Sequence, residues 1–324
     1  MTRFVKLKKA SLALAIAAGF CASGAVHAGL VATAVLEIKN FQIQDSGTGT
    51  ILNVSNFGPG LAIADFGHNT ASLTGFASTT VNGNVSGGGP MNIAQACLGV
   101  VCPGQDNYAH TTAPGANQLA RADSNLQGAA LSGIGPPTGA TSQTVAEVLL
   151  TSNGVGGGDS GLGLNSTFTL TLASTKNLQL AFSADHYLRT LLTALDQPGS
   201  SARASSALSF TIDQVIGGNT VNVFSWAPNG QAGGIFGGTE DLDQGNLNDT
   251  IATLIPGTTS VRDLAGDQLF KAHTTLAAGT YQFSINQATF ANGVQVVPEP
   301  GTMLLAGVGL LGVVLSRRRA KKAA

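Results

Sequence analysis

Apolar and polar residues alternate along much of the chain, and this two-residue period predicts β-strands. The first run passes through Leu36 and Ile38 and resumes out of phase at Phe41. This break in phase predicts a β-bulge near Asn40, within a strand that covers residues 32–44.

The same period is clearest in the second half of the chain, where turn residues bound each run. The further predicted strands cover residues 61–66, 71–76, 168–172, 178–182, 208–212, 221–225 and 281–285. The sequence Gly217-Gly218-Asn219 lies between two of these strands and predicts a hairpin. Short strands at this spacing favour a mainly β body, an antiparallel β-sandwich or jelly roll with glycine-rich loops, over alternating strands and helices.

Two stretches depart from this alternation and predict one or two short helices. The first covers residues 115–131, which are rich in alanine and glutamine, and the second covers residues 142–150. The glycine-rich segment 153–163 predicts a joint between two parts of the body. We therefore expect an irregular β-rich half over 29–158 and a sandwich-like half over 159–296.

The N-terminal residues have the pattern of a secretion signal. Four cations and no acid occupy the first nine residues, and an apolar run follows over residues 10–21. Small residues then lead to Ala28 and Gly29, which suits cleavage by signal peptidase between them. The sequence predicts a helical signal peptide over 1–28, used by the secretion machinery, and a mature chain that begins at Gly29.

The C-terminal residues follow a three-part order. Val297, Pro298, Glu299 and Pro300 come first, an uncharged stretch follows over 301–315, and a basic cluster over 317–322 begins with Arg317, Arg318 and Arg319. As a transmembrane helix, the uncharged stretch would cover about 22 Å, short of the ~30 Å hydrocarbon core. The prolines keep the preceding segment extended, where an enzyme can bind it. A removable tail over 297–322 and a short permanent anchor both fit this order.

This order resembles the PEP-CTERM sorting signal of Gram-negative bacteria, over about twenty-five residues. The resemblance implies recognition near Pro-Glu-Pro by exosortase, a membrane enzyme resembling cysteine transpeptidases, which removes the tail. It also implies delivery to the cell surface or to the exopolysaccharide matrix. The body looks more loosely similar to exosortase-dependent surface proteins, which supply no catalytic residues to carry over.

The charge of the chain depends on its two ends. Between Gly29 and residue 296 the sequence has seven basic and sixteen acidic residues, a net charge of −9, although the whole chain has −1. An acidic body without a basic patch argues against binding to nucleic acid or anionic lipid. The cations after the apolar stretch stay in the cytoplasm by the positive-inside rule, so an inner-membrane intermediate would hold the body in the periplasm.

Two cysteines remain after signal removal, Cys97 and Cys102, with four residues between them. In an oxidising compartment so close a pair favours a local disulfide that holds a loop. A metal site would need two further ligands, which His110 alone does not supply, and free thiols are the other alternative.

Several residues suggest chemistry when taken one at a time. Ser160, within Gly-Asp-Ser-Gly, resembles a serine protease nucleophile but lacks an upstream base and acid at suitable spacing. The glycines of the same segment match a phosphate loop, but a strand rather than a helix is predicted to follow. The histidines and the isolated Tyr187 and Trp226 are predicted to pack in the core or lie on the surface, with a sugar-binding face as the alternative.

Acidic residues gather only around Asp241, Asp243 and Asp249. Their oxygens suit Ca²⁺, although the spacing departs from the EF-hand pattern, and a solvated acidic turn is the alternative. We therefore expect an exported structural protein of the surface or matrix, without catalytic activity and with calcium as the sole candidate cofactor. A carbohydrate-binding module, with or without Ca²⁺, and a secreted hydrolase are the alternatives.

Overall fold

The computed structural model describes residues 29–52, 62–86, 91–115, 117–127 and 139–297, and these residues form strands, turns and irregular segments without a helix. Their strands are β1 Leu30–Asp45, β2 Ala62–Leu73, β3 Thr79–Ser86, β4 Met91–Gly99, β5 Leu119–Gln127, β6 Ala140–Leu150, β7 Gly154–Leu172, β8 Lys176–Leu192, β9 Ser201–Ile216, β10 Asn219–Trp226, β11 Ile235–Phe236, β12 Thr239–Asp243, β13 Thr250–Thr253, β14 Thr259–Asp263, β15 Gln268–Leu276 and β16 Gly279–Gln295. The prediction of a mainly β body is confirmed.

The strands build two sheets of eight strands each. Sheet 1 has the order β12-β15-β8-β1-β6-β5-β4, with β14 also paired to β8. Sheet 2 has the order β11-β10-β9-β16-β7-β2-β3, with β13 also paired to β9. The strand pairs are antiparallel, as the short spacing of the alternating runs predicted.

The inner faces of the two sheets pack against each other. At one end the core is aromatic: Phe41 of sheet 1 stacks on Phe210 of sheet 2, with 5.4 Å between ring centroids, and Phe182 stacks on Phe270 at 5.0 Å. At the other end the core is built mainly from alanine and leucine. Gln287 crosses between the sheets and donates to the Leu36 carbonyl at 2.9 Å, so the buried layer also contains paired polar groups.

Two local predictions are confirmed by the backbone. The pairing of β1 with β6 shifts register between Ile38 and Phe41, and Asn40 has a φ of 54°, so the bulge lies where the apolar phase breaks. Gly217 and Gly218, with φ of 59° and 85°, make the turn of the hairpin between β9 and β10. These angles favour glycine because a Cβ atom makes them costly.

The predicted helices at 115–131 and 142–150 are wrong where the structure describes them, because β5 and β6 occupy these positions. β6 lies between β1 and β5, and every residue from Thr144 to Leu150 is buried, so both faces of the strand are covered there. A strand covered on both faces has no polar side to expose, so its sequence loses the alternation that reveals a strand.

The glycine-rich segment 153–163 lies mostly within β7, and the predicted boundary after Gly158 falls inside this strand. Both sheets combine strands from before and after that position. A Cβ on Gly158 would lie 2.3 Å from the Arg121 carbonyl oxygen, and one on Gly156 would lie 2.7 Å from Val148. The missing side chains therefore let the two sheets approach closely.

The long strands give the body two distinct ends. The terminal pole holds the start of β1, the turn at 193–200 and the end of β16. The distal pole holds the turn that follows Asp45 and the hairpin at Gly217, because β1 and β9 both run away from the terminal pole.

Candidate functional site

The exit of β16 at the terminal pole is held by hydrogen bonds. The Val296 N–H donates to Ser200 Oγ at 2.9 Å, and the Val296 carbonyl accepts the Gln197 N–H at 2.9 Å. One residue further on, the Val297 N–H donates to the side-chain oxygen of Asn153. The chain therefore remains bonded to the body up to the first residue of the predicted sorting segment.

Gly29 enters the body at the same pole. Its N–H donates to Thr193 Oγ1 at 2.9 Å, and its carbonyl accepts the Thr193 N–H at 3.1 Å. A Cβ at this position would lie 2.4 Å from the Cβ atom of Pro114. The chain can follow this path only because residue 29 is a glycine.

Asp196 connects the start of β1 with the end of β16 at the terminal pole. Its Oδ2 accepts the Thr193 hydroxyl at 3.1 Å, and its Oδ1 accepts the Gln295 side-chain amide at 2.8 Å. The residue is buried, and no basic side chain of the described residues pairs with it. One carboxylate thus bonds both to the residue that holds Gly29 and to the last residue of β16.

Most of the predicted processing residues lie outside the described residues. These are the signal peptide with Ala28, the motif residues Pro298, Glu299 and Pro300, the apolar span 301–315, and the cluster with Arg317, Arg318 and Arg319. Among the described residues, no helix has the length and apolar character needed to cross a membrane. Gly29 and Val297 are the described residues next to the two predicted processing sites, and both are hydrogen-bonded to the body.

A family model for the PEP-CTERM protein-sorting motif matches residues 296–319. The chain carries a PEP-CTERM sorting motif. The match confirms the resemblance drawn from the proline pair, the apolar stretch and the arginine cluster. No curated protein and no solved structure matches the chain.

The PEP-CTERM motif indicates an exported surface protein that exosortase targets, with a membrane-anchored intermediate before surface delivery. The match starts at Val296, whose main chain is still bonded to Ser200 and Gln197. The motif therefore begins directly at the end of the folded body.

A second polar site lies on the outer face of sheet 1. Residues 103–115, here called the strap, cross this face, and a disulfide between Cys97 and Cys102 precedes them. His110 of the strap stacks on Tyr187 of β8, with 3.8 Å between ring centroids. The disulfide and this stacking both hold the strap to the sheet.

A buried ion pair fixes the middle of the strap. Arg121 Nε donates to Glu147 Oε2 at 2.8 Å, and the two side chains are 1% and 0% exposed. The guanidinium also donates to the carbonyls of Asn107 and Ala109, both at 2.6 Å, and Glu147 accepts the Thr111 N–H at 2.7 Å. Charged side chains on β5 and β6 thus supply partners to an irregular segment that lacks strand pairing.

The structure does not assemble a hydrolytic site around Ser160. This residue is buried in β7, where its Oγ lies 2.9 Å from Asn69 Oδ1 and 2.8 Å from the Asp123 carbonyl oxygen. It faces the interior of the sandwich, whereas His110 lies on the outer face of sheet 1. The segment continues as β7 and does not open a helix, so it also lacks the geometry of a phosphate loop.

The candidate calcium ligands have separate partners. Asp241 lies 2.8 Å from His273 Nδ1, and Asp249 lies 3.4 Å from the Arg262 guanidinium. Asp243 Oδ2 accepts two backbone N–H groups at 2.8 Å, and burial raises the pKa of this carboxyl. Across the described ranges, no three histidine, cysteine or acidic side chains form a group able to hold a metal ion.

The other residues considered for a sugar-binding face are also separated. Trp226 lies in the aromatic core and donates through Nε1 to Glu240 at 2.7 Å. His68 lies 3.5 Å from Asp159, and this hydrogen-bonding partner raises the pKa of the imidazole. His186 is buried, and burial lowers the pKa of its imidazole to about 4.

Sequence reasoning missed both polar assemblies. Asp196 precedes Pro198 and Gly199, so it has the appearance of an ordinary turn residue. Arg121 and Glu147 lie twenty-six residues apart, and the clearest signal in the sequence is that Glu147 interrupts the apolar run at 145–150. Charged residues in such runs are a sign of a buried ion pair, but their partners are not visible without the fold.

Proposed function

We propose that this chain is a non-enzymatic structural protein, displayed at the cell surface or in the exopolysaccharide matrix after exosortase removes its tail. Signal peptidase and exosortase would act in turn, before the first residue and after the last residue of one folded body. The body would then carry out its role through its surface and shape.

The observation that carries this proposal is the meeting of Gly29 and Val296 at one pole. Asp196 bonds to Thr193 and to Gln295, so Gly29 and Val296 lie on the same side of the body, which supports processing of both termini next to this pole. A precursor held by its tail would have this side next to the membrane and the distal pole facing away. This arrangement suits a display protein because the fold of the body would not have to change when the tail is cut.

The separation of the candidate nucleophile and the candidate calcium ligands supports a non-enzymatic role. Ser160 faces the interior, and the three aspartates considered for calcium are directed to different partners. Activity screens of the purified protein on polysaccharides and esters should give no turnover. Turnover that is lost on a single substitution, Ser160→Ala or another, in a protein that remains folded would overturn this part of the proposal.

Intact mass spectrometry tests the sorting part of the proposal. The protein recovered from a sorting-competent host should begin at Gly29 and lack Arg317 to Arg319. In the same host without exosortase, the protein should keep these arginines and stay in the membrane fraction.

A variant in the motif supplies the specificity control. Glu299→Ala should leave the tail in place, whereas Asp267→Ala, a change at an exposed carboxylate of the body, should be processed normally. Recovery of the wild-type protein with its tail from the sorting-competent host would contradict the sorting proposal. The protein would then be a simple membrane-tethered protein.

A further inference from the structure

A polar groove opens between β8, β14 and the loops at 228–231 and 244–249. It encloses about 460 Å³, within the roughly 300–1,000 Å³ that is common for ligand sites. The groove lies away from the terminal pole and the sorting motif, and His186 also lines a smaller cavity together with Tyr108 and His110 of the strap. Its lining is mostly polar, so an apolar ligand would leave many polar groups unpaired.

His186 lies at the base of this groove. It alternates along β8 with the outward-facing Asp185 and Tyr187, so its ring points between the sheets, and it is only 2% exposed. Neither ring nitrogen has a hydrogen-bond partner among the described residues. Buried polar atoms in proteins are nearly always bonded, so these two nitrogens mark a position where a water molecule or a ligand would supply the hydrogen bonds.

The ring offers two different hydrogen-bonding functions. Because burial lowers its pKa to about 4, the imidazole is neutral at pH 7. A neutral imidazole has one nitrogen that donates and one that accepts. This combination suits a hydroxyl group, which can also do both.

The rim of the groove adds further donors and acceptors. The side-chain oxygens of Asn229 and Asn246 accept loop N–H groups at 2.9 Å, which leaves their amide N–H₂ groups as donors. Asp263 uses Oδ1 to accept the Ala265 N–H at 2.8 Å, which leaves Oδ2 as an acceptor. Arg262 also lines the groove, and its side chain is 66% exposed.

The charged residues of the groove disfavour an anionic ligand. Asp249 and Asp263 outnumber the single guanidinium of Arg262, so the groove does not favour an anion. The described residues also contain no cluster able to hold a metal ion. We propose that the groove binds a neutral saccharide, with His186 at its base and Arg262 and Asp263 at its rim.

The test uses the mature protein as the host secretes it. Glucose, galactose, mannose and N-acetylglucosamine are titrated in saturation-transfer NMR, with glucuronate as the anionic counterpart. We expect saturable binding of at least one neutral sugar and weaker binding of glucuronate. His186→Phe, which removes both ring nitrogens, should weaken binding about tenfold or more, the order expected for lost hydrogen bonds.

Two further variants keep the test decisive. Arg262→Gln changes an exposed side chain, so it should fold normally and also weaken binding. His273→Phe removes a histidine outside the groove and should bind like the wild type. The absence of saturable binding, a preference for glucuronate, or binding unchanged in both groove variants would overturn the proposal. Because binding is measured on purified protein, its failure leaves the sorting proposal untouched.

Discussion

Replacing Arg121 by methionine should destabilise the protein strongly, because it leaves the carboxylate of Glu147 buried without a counter-charge. Both side chains are at most 1% exposed, so water does not screen their interaction in the folded state. Breaking a buried ion pair from one side typically costs about 3–5 kcal/mol. The loss also removes the donors to Asn107 and Ala109, so the strap loses part of its attachment to sheet 1.

Thermal unfolding and limited proteolysis measure these two effects. At roughly 2–4 °C per kcal/mol for a domain of this size, Tm should fall by about 6–20 °C in Arg121→Met. New cleavage should appear within residues 103–115 before the body unfolds. The matched control is Arg262→Met, because this arginine is 66% exposed and its ion pair should contribute less than about 1 kcal/mol.

A double variant separates loss of charge pairing from loss of packing. In Arg121→Met combined with Glu147→Leu, neither charge of this pair remains, so part of the lost stability should return. The reasoning is refuted if Arg121→Met loses less than about 1 kcal/mol, the level of an exposed pair. It is also refuted if the double variant is less stable than either single variant.

Three other changes probe different parts of the molecule. Gly158→Ala should cost about 1–3 kcal/mol in urea unfolding, since its Cβ would meet the Arg121 carbonyl oxygen at 2.3 Å; equal loss in the outward-facing Gly157→Ala would contradict this. The low pKa of His186, about 4, means that the unfolded chain takes up a proton first as pH falls below ~6.5. The contribution of His186 to stability should therefore fall by roughly 3 kcal/mol between pH 6.5 and 4. The difference in unfolding free energy between the wild type and His186→Gln should change by that amount, because the opposing contribution of Asp123, whose pKa burial raises to about 6, is the same in both proteins. Asp196→Asn should speed hydrogen exchange at the Val296 amide. Exchange equal to the wild type would exclude the proposed link between the segments of Gly29 and Val296.

The sequence predicts those parts of the fold in which one face of a strand is exposed. The bulge at Asn40 and the hairpin at Gly217 follow from apolar phase and turn chemistry, both of which are local. β6 was missed because the strap buries its outer face, and a strand covered on both sides resembles any apolar segment. The role of Gly158 was missed because a glycine that permits close packing cannot be told from a loop glycine until its neighbour is known.

The candidate sites also differ in whether their residues are close together in the sequence. The PEP-CTERM motif is a continuous segment, so its residue order was sufficient to predict it. The groove around His186 combines residues from β8, β14 and two loops, which are brought together only by the pairing of β14 with β8. The carboxylates of Asp241 and Asp249 are close in sequence, but their strands and turns direct them to different partners.

The place of β16 in sheet 2 has a mechanical consequence for a displayed protein. This strand ends at the sorting motif and is paired along nearly its whole length, with β7 on one side and β9 on the other. A pull between the distal hairpin and a tethered C-terminus would act along the strand and load its many hydrogen bonds in shear, all at once. A strand of seventeen residues, roughly 55 Å long, would thus resist tension as a unit and would not peel away one bond at a time.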